Sequence, residues 1–494
     1  GTIPPKPLAP QTVVTGYTQW PAGFRKGQTA FAGAVFDGEF IWMVPANAHS
    51  VVKIDKHTGE MTACGDWPKG FRKGNQAFAG AVFDGEFIWM VPANADGVVK
   101  IDTRSGRMSL LDNWPEGFSK GSDAFSGAVF DGTSIWMIPS YADRVVRIDT
   151  GTGRMTSYSN WPEGFLKGGH AFSGAVFDGR RIFMVPANAD SVVALDTVTG
   201  DMDRYNTWPE GYVMVEYAFS GAVFDGRYVW MVPYYSGQVI KIDTETGEMS
   251  GHYHRPEELG KAEHTFSGAV FDGRYVFMVP YNADSVVRID TDTSEAAELH
   301  DWPQGFHKGV NAFTGGVFDG DSVWMVPSYA DRVLRISSYS PVSVSANITS
   351  NDTFYLYVSQ EESEEGTLVG KGQGWASIHS INAALIPGVT NYIHVKCIDN
   401  KGPVAAFIAD FTLNDPDFHF MDGTQRILTS EDHWLAYLDK FGGTAASVVS
   451  IGKNGLGSWS TRFGIDLEAN WIWTQRGDKG TRYFSTPVYH SAVP

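Results

Sequence analysis

The sequence is poor in cysteine, with Cys64 and Cys397 as its two cysteines among 494 residues. Two thiols cannot build the disulfide framework of a small secreted domain, and they cannot form a cysteine metal site. One bridge between the two parts of the chain is conceivable, but the sequence favours two free thiols. Cysteine usage therefore does not fix the cellular compartment.

Long apolar runs and an excess of positive charge are also missing. No run of about 18 apolar residues is present, as a membrane-spanning helix would require. The 56 acidic residues outnumber the 38 Lys and Arg residues, and the formal net charge is -18. Nucleic acids and anionic membrane surfaces bind clustered cations, so the charge argues against both as partners.

The common catalytic motifs are absent from the sequence. It contains no His-Glu-x-x-His helix, P-loop or dinucleotide-binding glycine pattern. The Gly-x-Ser-x-Gly string at residues 117–121 belongs to a repeated loop of an all-strand pattern and not to a strand-to-helix elbow. We therefore expect a protein that is not an enzyme and carries no organic cofactor, while a divalent metal such as calcium stays open.

What the sequence does contain is one unit copied seven times. The triplet Phe-Asp-Gly recurs with a constant spacing of 47 residues, and its aspartates are Asp37, Asp84, Asp131, Asp178, Asp225, Asp272 and Asp319. A fixed period of this length with strand-like content predicts a repeat architecture.

Each unit predicts four short antiparallel strands. In the sixth unit, apolar residues 266–271 and 275–279 flank Asp272-Gly273, a pair typical of a type I′ hairpin turn. Residues 286–289 give a third strand, and most units add a fourth after a Thr-Gly turn. Seven such units without a helical period predict an all-β fold, a seven-bladed β-propeller.

The second strand of every unit carries an aromatic residue before a methionine, as at Trp230-Met231. Because each such ring can bury about 150–250 Å², we expect this stripe to pack between blades and not to bind a cofactor. The seventh unit lacks a fourth strand. Residues 13–17 align with that strand, so the N-terminal strand is predicted to close the last blade and remove two sheet edges.

The run Val-Val-Arg-Ile-Asp-Thr, with the Thr-Gly that follows it in most units, resembles the repeats of YVTN-type seven-bladed propellers. The resemblance covers residues 11–338 and leaves residues 1–10 as an N-terminal tail. It implies the propeller fold but little about function, because related propellers include lectins, lyases, dehydrogenases and scaffolds.

After the repeats, we assign residues 339–345 to a linker and residues 346–494 to a second domain of short strands. Asn351-Asp352, the turn at residues 370–375, and the segments 429–434 and 469–473 resemble galactose-binding-like jelly-roll domains of extracellular carbohydrate-active proteins. The resemblance implies a C-terminal β-sandwich or jelly roll and transfers no ligand residue. The acidic segment 361–365 is interpreted as a solvated hairpin tip.

Two features suggest an extracellular or cell-surface glycoprotein. Asn347 and Asn351 each begin an Asn-x-Thr sequon, which would accept a glycan on a surface loop of a secreted eukaryotic protein. The chain begins at Gly1, as a processed mature chain would, although a cloning boundary would look the same.

Two recurring loops are predicted on one face of the propeller, Trp-Pro-x-Gly-Phe-x-Lys-Gly and Asn-Ala-Asp. An aromatic ring beside Asn, Asp and Lys suits sugar recognition, and repeated weak sites add avidity. The structural alternative is that Trp-Pro plugs the gap between blades while Asp caps a turn. The candidate ligand residues are Trp67, Lys73, Asn94, Asp96, Trp114, Lys120, Asp143, Trp161, Lys167, Asn188 and Asp190.

One variable position precedes the first strand of each unit and should ring the mouth of the central channel. Its candidates are Asp123, His170, Tyr217 and His264. Asp123 and the two histidines are apt ligands for a divalent metal, and a solvated polar rim is the alternative that the spacing favours.

The preferred function is a secreted or cell-surface carbohydrate-binding (lectin-like) or extracellular assembly protein, with glycans or proteins as partners and self-association open. One alternative is a structural subunit of an extracellular filament or matrix without a soluble ligand. The other is a propeller lyase or hydrolase with a site near His170, Tyr217, His252 and His264, where the fifth and sixth units depart from the repeat.

Overall fold

A computed structural model describes residues 11–254, 264–339, 343–400, 404–456 and 461–491. One compact unit spans Val13–Ser337, and a second is formed mainly by the residues from Ser338 onward. The regular structure in the described residues consists of β-strands, which confirms the all-β fold. The N-terminal tail expected at residues 1–10 lies outside the described part of the chain.

The first unit contains seven four-stranded sheets. The strands of blades 1 to 3 are β2 (Phe31–Phe36), β3 (Phe40–Pro45), β4 (Val51–Asp55), β5 (Met61–Cys64), β6 (Phe78–Phe83), β7 (Phe87–Pro92), β8 (Val98–Asp102), β9 (Met108–Leu111), β10 (Phe125–Phe130), β11 (Ser134–Pro139), β12 (Val145–Asp149) and β13 (Met155–Tyr158). The strands of blades 4 to 6 are β14 (Phe172–Phe177), β15 (Arg181–Pro186), β16 (Val192–Asp196), β17 (Met202–Tyr205), β18 (Phe219–Phe224), β19 (Tyr228–Pro233), β20 (Gln238–Asp243), β21 (Met249–His254), β22 (Phe266–Phe271), β23 (Tyr275–Pro280), β24 (Val286–Asp290) and β25 (Ala296–Leu299).

Blade 7 joins the two ends of the repeat region. It contains β26 (Phe313–Phe318), β27 (Ser322–Pro327), β28 (Val333–Tyr339) and, as its outer strand, β1 (Gln11–Tyr17). Tyr17 stacks on Trp324 of this blade with ring centroids 5.2 Å apart. The predicted closure of the last blade by the N-terminal strand is confirmed.

The first strands of the blades surround the channel axis, and each carries a glycine at its centre. A Cβ placed on Gly268 would lie 3.2 Å from Cα of Gly315, and one on Gly127 would lie 3.6 Å from Cα of Gly174. The φ angles of these glycines are positive, for example 84° at Gly268. A larger residue at Gly268 would therefore crowd the backbone of the next blade, and at each of these glycines a positive φ disfavours a larger residue.

The Phe-Asp-Gly hairpin differs from the predicted type I′ turn. The central turn residues of blade 1 are Gly38 and Glu39, and of these Gly38 alone has positive φ, as a type II′ turn requires. The carboxylate of Asp37 accepts the backbone N–H groups of Glu39 and Phe40, and its second oxygen accepts the indole N–H of Trp42 at 2.7 Å. The aspartate holds both the turn and the buried aromatic stripe.

That stripe forms the core between neighbouring blades, as predicted. Trp42 of blade 1, for instance, packs in one cluster with Phe78 and Met90 of blade 2. Trp42, Trp89, Trp136, Trp230 and Trp324 are all at most 1% exposed. Burying one such ring contributes roughly 4–6 kcal/mol before entropy at about 25 cal/mol per Å².

The second unit is a pair of antiparallel sheets. One sheet contains β29 (Val344–Ser350), β32 (His379–Ala383), β34 (Phe407–Leu413), β36 (Arg426–Leu428), β39 (Val449–Lys453) and β40 (Asn470–Trp473). The other contains β30 (Thr353–Ser359), β31 (Thr367–Gln373), β33 (Asn391–Asp399), β35 (Phe418–Phe420), β37 (Leu435–Tyr437), β38 (Ala445–Ala446) and β41 (Gly480–His490). Strand β29 begins at Val344, inside the residues that the sequence assigns to the linker.

The two sheets share one apolar core and so form a β-sandwich. Ile348 and Phe407 of the first sheet pack in the same buried cluster as Phe354, Val395 and Phe484 of the second. This pairing of sheets agrees with the predicted C-terminal sandwich.

The acidic segment 361–365 is more than a solvated hairpin tip. Glu362 accepts a hydrogen bond from the hydroxyl of Tyr437, and Glu365 forms an ion pair with Lys396 at 3.0 Å. The segment is therefore fastened to the outer face of the second sheet.

Both cysteines are free thiols, as the sequence favours. Burial raises the pKa of the half-buried Cys64 and of the fully buried Cys397, which makes both thiols poor nucleophiles at neutral pH.

Candidate ligand site at the channel mouth

The Trp-Pro loop crosses from the outer strand of one blade to the inner strand of the next, and we call it the crossing loop. Trp67 is half-buried and lies 5.4 Å from Phe71 and 6.1 Å from Phe78, centroid to centroid. Its indole N–H donates to the carbonyl oxygen of His49 on the preceding blade. Trp114 and Trp161 stack in the same way, so all three tryptophans already pack between blades.

The crossing-loop lysines bind backbone. The Nζ atom of Lys73 donates to the carbonyl oxygens of Ala46 and Gly74, and those of Lys120 and Lys167 bind the equivalent pairs. Burial lowers the pKa of all three. Each ammonium has three donors, so one remains for a ligand.

The asparagines of the blade loop, which joins the second and third strands, fix the channel rim. The N–H of Asp123 donates to Asn94, and that of Tyr217 donates to Asn188. All seven rim residues are non-glycine residues with φ between 45° and 60°, an uncommon conformation for them. In four of the seven cases an asparagine of the preceding blade stabilises that conformation by accepting the rim N–H, namely Asn47, Asn94, Asn188 and Asn282.

The predicted blade-loop aspartates have unequal surroundings. Asp143 is exposed and held by Arg144 through two hydrogen bonds. Asp190 accepts a hydrogen bond from Ser191 and pairs with Arg204 at 3.5 Å, whereas Asp96 is exposed. The predicted residues thus recur on one face, but most of their polar groups already stabilise the loops.

Three blades exchange the rim-fixing asparagine for tyrosine. These are blades 3, 5 and 7, with Tyr141, Tyr235 and Tyr329. The rim residues that follow the first two are His170 and His264. The rings of Tyr141 and His170 are 4.2 Å apart, and the hydroxyl of Tyr235 is hydrogen-bonded to Nε2 of His264.

The two Tyr–His pairs belong to a continuous group of rings on blades 3 to 6, which we call the aromatic arc. Tyr217 joins them, 5.4 Å from His170 and 6.2 Å from Tyr235. Tyr234 stacks on His264 with centroids 4.6 Å apart and planes only 4° apart. The arc consists of Tyr141, His170, Tyr217, Tyr234, Tyr235, His264 and Tyr281.

The arc borders a cavity of about 260 Å³ in the channel mouth. His170, Tyr217, Tyr234 and Tyr281 line it, together with hydroxyl-bearing residues from five consecutive blades, Ser126, Ser173, Ser220, Ser267 and Thr314. Blades 1 and 2 place Ala32 and Ala79 in the channel instead. The channel mouth is thus aromatic and hydroxyl-rich on one side.

Two tyrosines of the arc are neutral hydrogen-bond donors and acceptors. Burial raises the pKa of Tyr234 and Tyr281, so both phenols stay protonated near neutral pH. Among the described residues, no group of three or more His, Cys, Asp or Glu side chains is placed to hold a metal ion. The hypothetical metal site of Asp123, His170 and His264 therefore does not form.

The structure brings together some, but not all, of the residues that the sequence hypothesis assigns to an enzyme site at blades 5 and 6. His170, Tyr217 and His264 do meet at the mouth. His252 instead lies on the outer strand β21, 5.5 Å from Trp230. Residues 255–258 of the variant sixth-unit segment lie outside the described residues.

The proposed glycan acceptors are not on open loops. Asn347 lies within strand β29 and accepts a hydrogen bond from Ser380. The half-buried Asn351 donates its amide to the carbonyl oxygen of Val404 at 2.6 Å.

The tyrosines at positions 141, 234, 235 and 281 were not among the site residues predicted from the sequence. A signal was present, because the repeat aligns tyrosine with asparagine at the second blade-loop position, and histidine follows at the next rim position in two of those three blades. The convergence of side chains 30 to 140 residues apart in sequence becomes visible once the ring is closed.

Comparisons with known proteins agree with the propeller fold. A family model described as outer membrane protein assembly factor BamB matches residues 113–340, under half of the chain. No curated protein matches. In the described residues, no helix is long and apolar enough to cross a membrane.

Among solved structures, the extracellular domain of a hybrid two-component system from B. thetaiotaomicron is 12% identical, with a TM-score of 0.50. The match covers 84% of this chain and 48% of that one. Virginiamycin B lyase from Staphylococcus aureus is 17% identical with a TM-score of 0.45, covering 67% of this chain and 99% of that one. Likenesses this distant describe the fold alone.

Proposed function

We propose that this chain is an extracellular, lectin-like protein that binds a carbohydrate at the aromatic arc. The observation that carries the proposal is the concentration of seven Tyr and His rings on one side of the channel mouth, together with hydroxyl-bearing residues. On the other blades the equivalent positions hold no aromatic residue except Tyr329 of blade 7.

This arrangement has the chemistry of sugar recognition. The apolar face of a pyranose stacks on aromatic rings, and its hydroxyls need fixed donors and acceptors. Tyr217, Tyr235 and Tyr141 are 36–50% exposed, so ring surface is available to a ligand. The 260 Å³ cavity is slightly smaller than the usual range of about 300–1,000 Å³ for drug-sized ligands and fits a single sugar ring.

Two further parts of the proposal rest on resemblance and composition. The sequence of the second unit resembles galactose-binding-like domains of extracellular proteins, and this resemblance supports a carbohydrate-binding protein outside the cell. The acidic charge and the many aromatic residues are compatible with that location.

The test is a glycan array probed with the full chain and with two matched variants. Tyr217→Ala and Gln76→Ala both place alanine at a rim position with positive φ, 51° and 45° respectively. Backbone strain is therefore matched, but Tyr217 belongs to the arc and Gln76 lies across the channel. We expect Tyr217→Ala to lose at least tenfold in affinity and Gln76→Ala to bind as the wild type does.

Array binding that is equal in the two variants would remove the arc from the proposal. An array without any signal for the wild type would overturn the lectin-like function itself.

An enzyme is the second candidate, and one contact favours it. The hydrogen bond between Tyr235 and His264 pairs an acid with a base at the mouth of a cavity, as general acid–base catalysis requires. Dextran, mannan and galactan incubated with the protein would then release new reducing ends, and His264→Ala would abolish the release. No release over a day at micromolar protein would leave binding as the function.

An assembly or filament role is the third candidate. Leu166, Val213 and Val310 on the crossing loops are 66–75% exposed, and such apolar side chains suit a protein partner or a second copy. A sedimentation coefficient that rises with protein concentration would indicate self-association. Loss of this concentration dependence in Leu166→Asp would favour an assembly role over binding of a soluble sugar.

A further inference from the structure

Blades 3 and 7 share a five-residue blade loop that no other blade has. Residues 140–144 and 328–332 both read Ser-Tyr-Ala-Asp-Arg. The other blades lack the tyrosine, the aspartate or the arginine. Because the repeat is otherwise nearly uniform, this shared exception marks two equivalent places on one face.

The Asp-Arg pair has the same geometry in both blades. Arg144 holds Asp143 with hydrogen bonds of 2.9 and 2.6 Å, and Arg332 holds Asp331 with bonds of 2.8 and 2.9 Å. Each guanidinium lies over a crossing-loop phenylalanine, at 5.8 Å from Phe118 in blade 3 and at 5.2 Å from the equivalent ring in blade 7. The two carboxylates are therefore fixed, yet their side chains remain 63% and 65% exposed.

Each fixed carboxylate lines an open cavity between the crossing loop and the blade loop. The cavity in blade 3 has a volume of about 550 Å³, and the one in blade 7 about 350 Å³. We call them the twin loop pockets. Both are lined by a tyrosine, a lysine and an aspartate, namely Tyr141, Lys120 and Asp143 in blade 3, and Tyr329, Lys308 and Asp331 in blade 7.

The chemistry of the lining selects a neutral polyol. A tyrosine ring offers a stacking surface, the carboxylate accepts hydroxyl protons, and the lysine has one donor left after binding two carbonyl oxygens. The neighbouring carboxylate opposes an anion, while the arginine and lysine oppose a cation. A sugar ring meets all these groups without a charge penalty.

We infer that the twin loop pockets are secondary sugar sites, so that the propeller binds a neutral polysaccharide at several points on one face. This inference rests on the proposed function, because the aromatic arc supplies the third site. Joining weak sites on one polymer raises the overall affinity by about 10²–10⁴ when the polymer can span them. The ligand class is then a repeating glycan chain and not an isolated sugar.

Affinity electrophoresis in native gels containing dextran, mannan or galactan tests the inference. The double variant Asp143→Asn/Asp331→Asn removes both fixed charges at exposed positions outside the arc. Asp284→Asn makes the same change at the same blade-loop position of blade 6, which lacks the tyrosine and the arginine. We expect at least a tenfold weaker retardation constant for the double variant and no change for Asp284→Asn.

The outcomes separate this inference from the function on which it rests. Retardation that is lost in Tyr217→Ala but kept in the double variant would overturn the twin loop pockets and leave the arc standing. The reverse pattern would support the pockets and count against the arc. Wild-type protein that migrates freely in all three gels would also overturn the pockets, and the glycan array would decide on the arc.

Discussion

The propeller and the sandwich solve the same problem, a buried β-sheet core, in different ways. In the propeller one solution is copied: an aspartate holds the turn and the indole of the buried tryptophan in five blades. In the sandwich each contact occurs once. Among the described residues, more buried polar side-chain atoms without a hydrogen-bond partner lie there than in the propeller, in Ser350, His379, His394, Arg462, Trp473, Ser485 and Thr486.

Because of this difference, the two units are expected to lose folding stability at different kinds of site. In the propeller few buried polar atoms of the described residues lack a partner, namely those of Ser50, Arg204 and Ser328. Its weak point is therefore the place where the repeats end and the ring must close. In the sandwich the weak points lie within the core, because each unpaired buried polar group reduces the free energy of unfolding by about 1–3 kcal/mol.

Removing strand β1 should have the largest effect. Deletion of residues 1–17 opens blade 7 and removes Val14 and Tyr17 from its core. We expect the propeller to lose more than about 4 kcal/mol, beyond the usual range of single substitutions, and its Tm to fall by roughly 10 °C. Calorimetry would resolve this transition, and the sandwich transition serves as the internal control. A propeller Tm that does not move would contradict the closure argument.

Acidification should destabilise the sandwich before the propeller. His394 is fully buried, stacks on Phe441 at 4.1 Å and faces the backbone of Glu361, with Glu362, Glu364 and Tyr392 nearby. Burial lowers its pKa from 6.5 to about 4. The unfolded chain therefore binds the proton first, and stability is lost as the pH falls from about 6.5 to 4.

The size of this loss is at most about 3 kcal/mol, from 1.36 kcal/mol for each pKa unit. Chemical denaturation at several pH values between 4 and 7 measures it. His394→Gln cannot take up the proton, so it should flatten the pH dependence of the sandwich while leaving that of the propeller unchanged. An equally steep dependence in the variant would mean that other groups carry it.

The smallest effect concerns the shared turn of the blades. Asp225 accepts two backbone N–H groups and the indole of Trp230, whereas Asp272 accepts the two backbone N–H groups of its turn, with Phe277 in place of tryptophan. Asp225→Ala should cost about 1–2 kcal/mol more than Asp272→Ala, because it leaves a buried indole donor unpaired. Urea denaturation of the two variants compares them, and equal losses would show that the indole bond contributes little.

Much of the propeller fold could be predicted from the sequence, because the same local pattern occurs in seven aligned units. The strands, the buried Trp-Met stripe and the closure by residues 13–17 all follow from alignment of the units. The turn type was wrong because the carboxylate of Asp37, through its own hydrogen bonds, shifts the central turn residues to Gly38 and Glu39. Side-chain hydrogen bonds of this kind are not visible in a dipeptide pattern.

The candidate site was predicted only in part. The rim histidines were found because the rim position varies strongly among the units, but Tyr235 and Tyr281 were missed. Their contacts depend on which blades are adjacent and on the conformation of each loop at the channel mouth. The alignment shows the exchange of asparagine for tyrosine, yet it does not show that the ring meets the histidine of the next blade.

Closure of blade 7 also sets a schedule for synthesis. Strand β1 is synthesised before its partner β28, which lies near the end of the repeats. The indole N–H of Trp20 likewise donates to the carbonyl oxygen of Asp331, 311 residues later in the sequence. At 5–20 residues per second, β1 waits roughly 15–60 s with an unpaired edge. By the end of that interval six blades are complete while the edge of β1 is still unpaired. A chaperone or a neighbouring nascent chain would then compete with β28 for the hydrogen bonds of that edge.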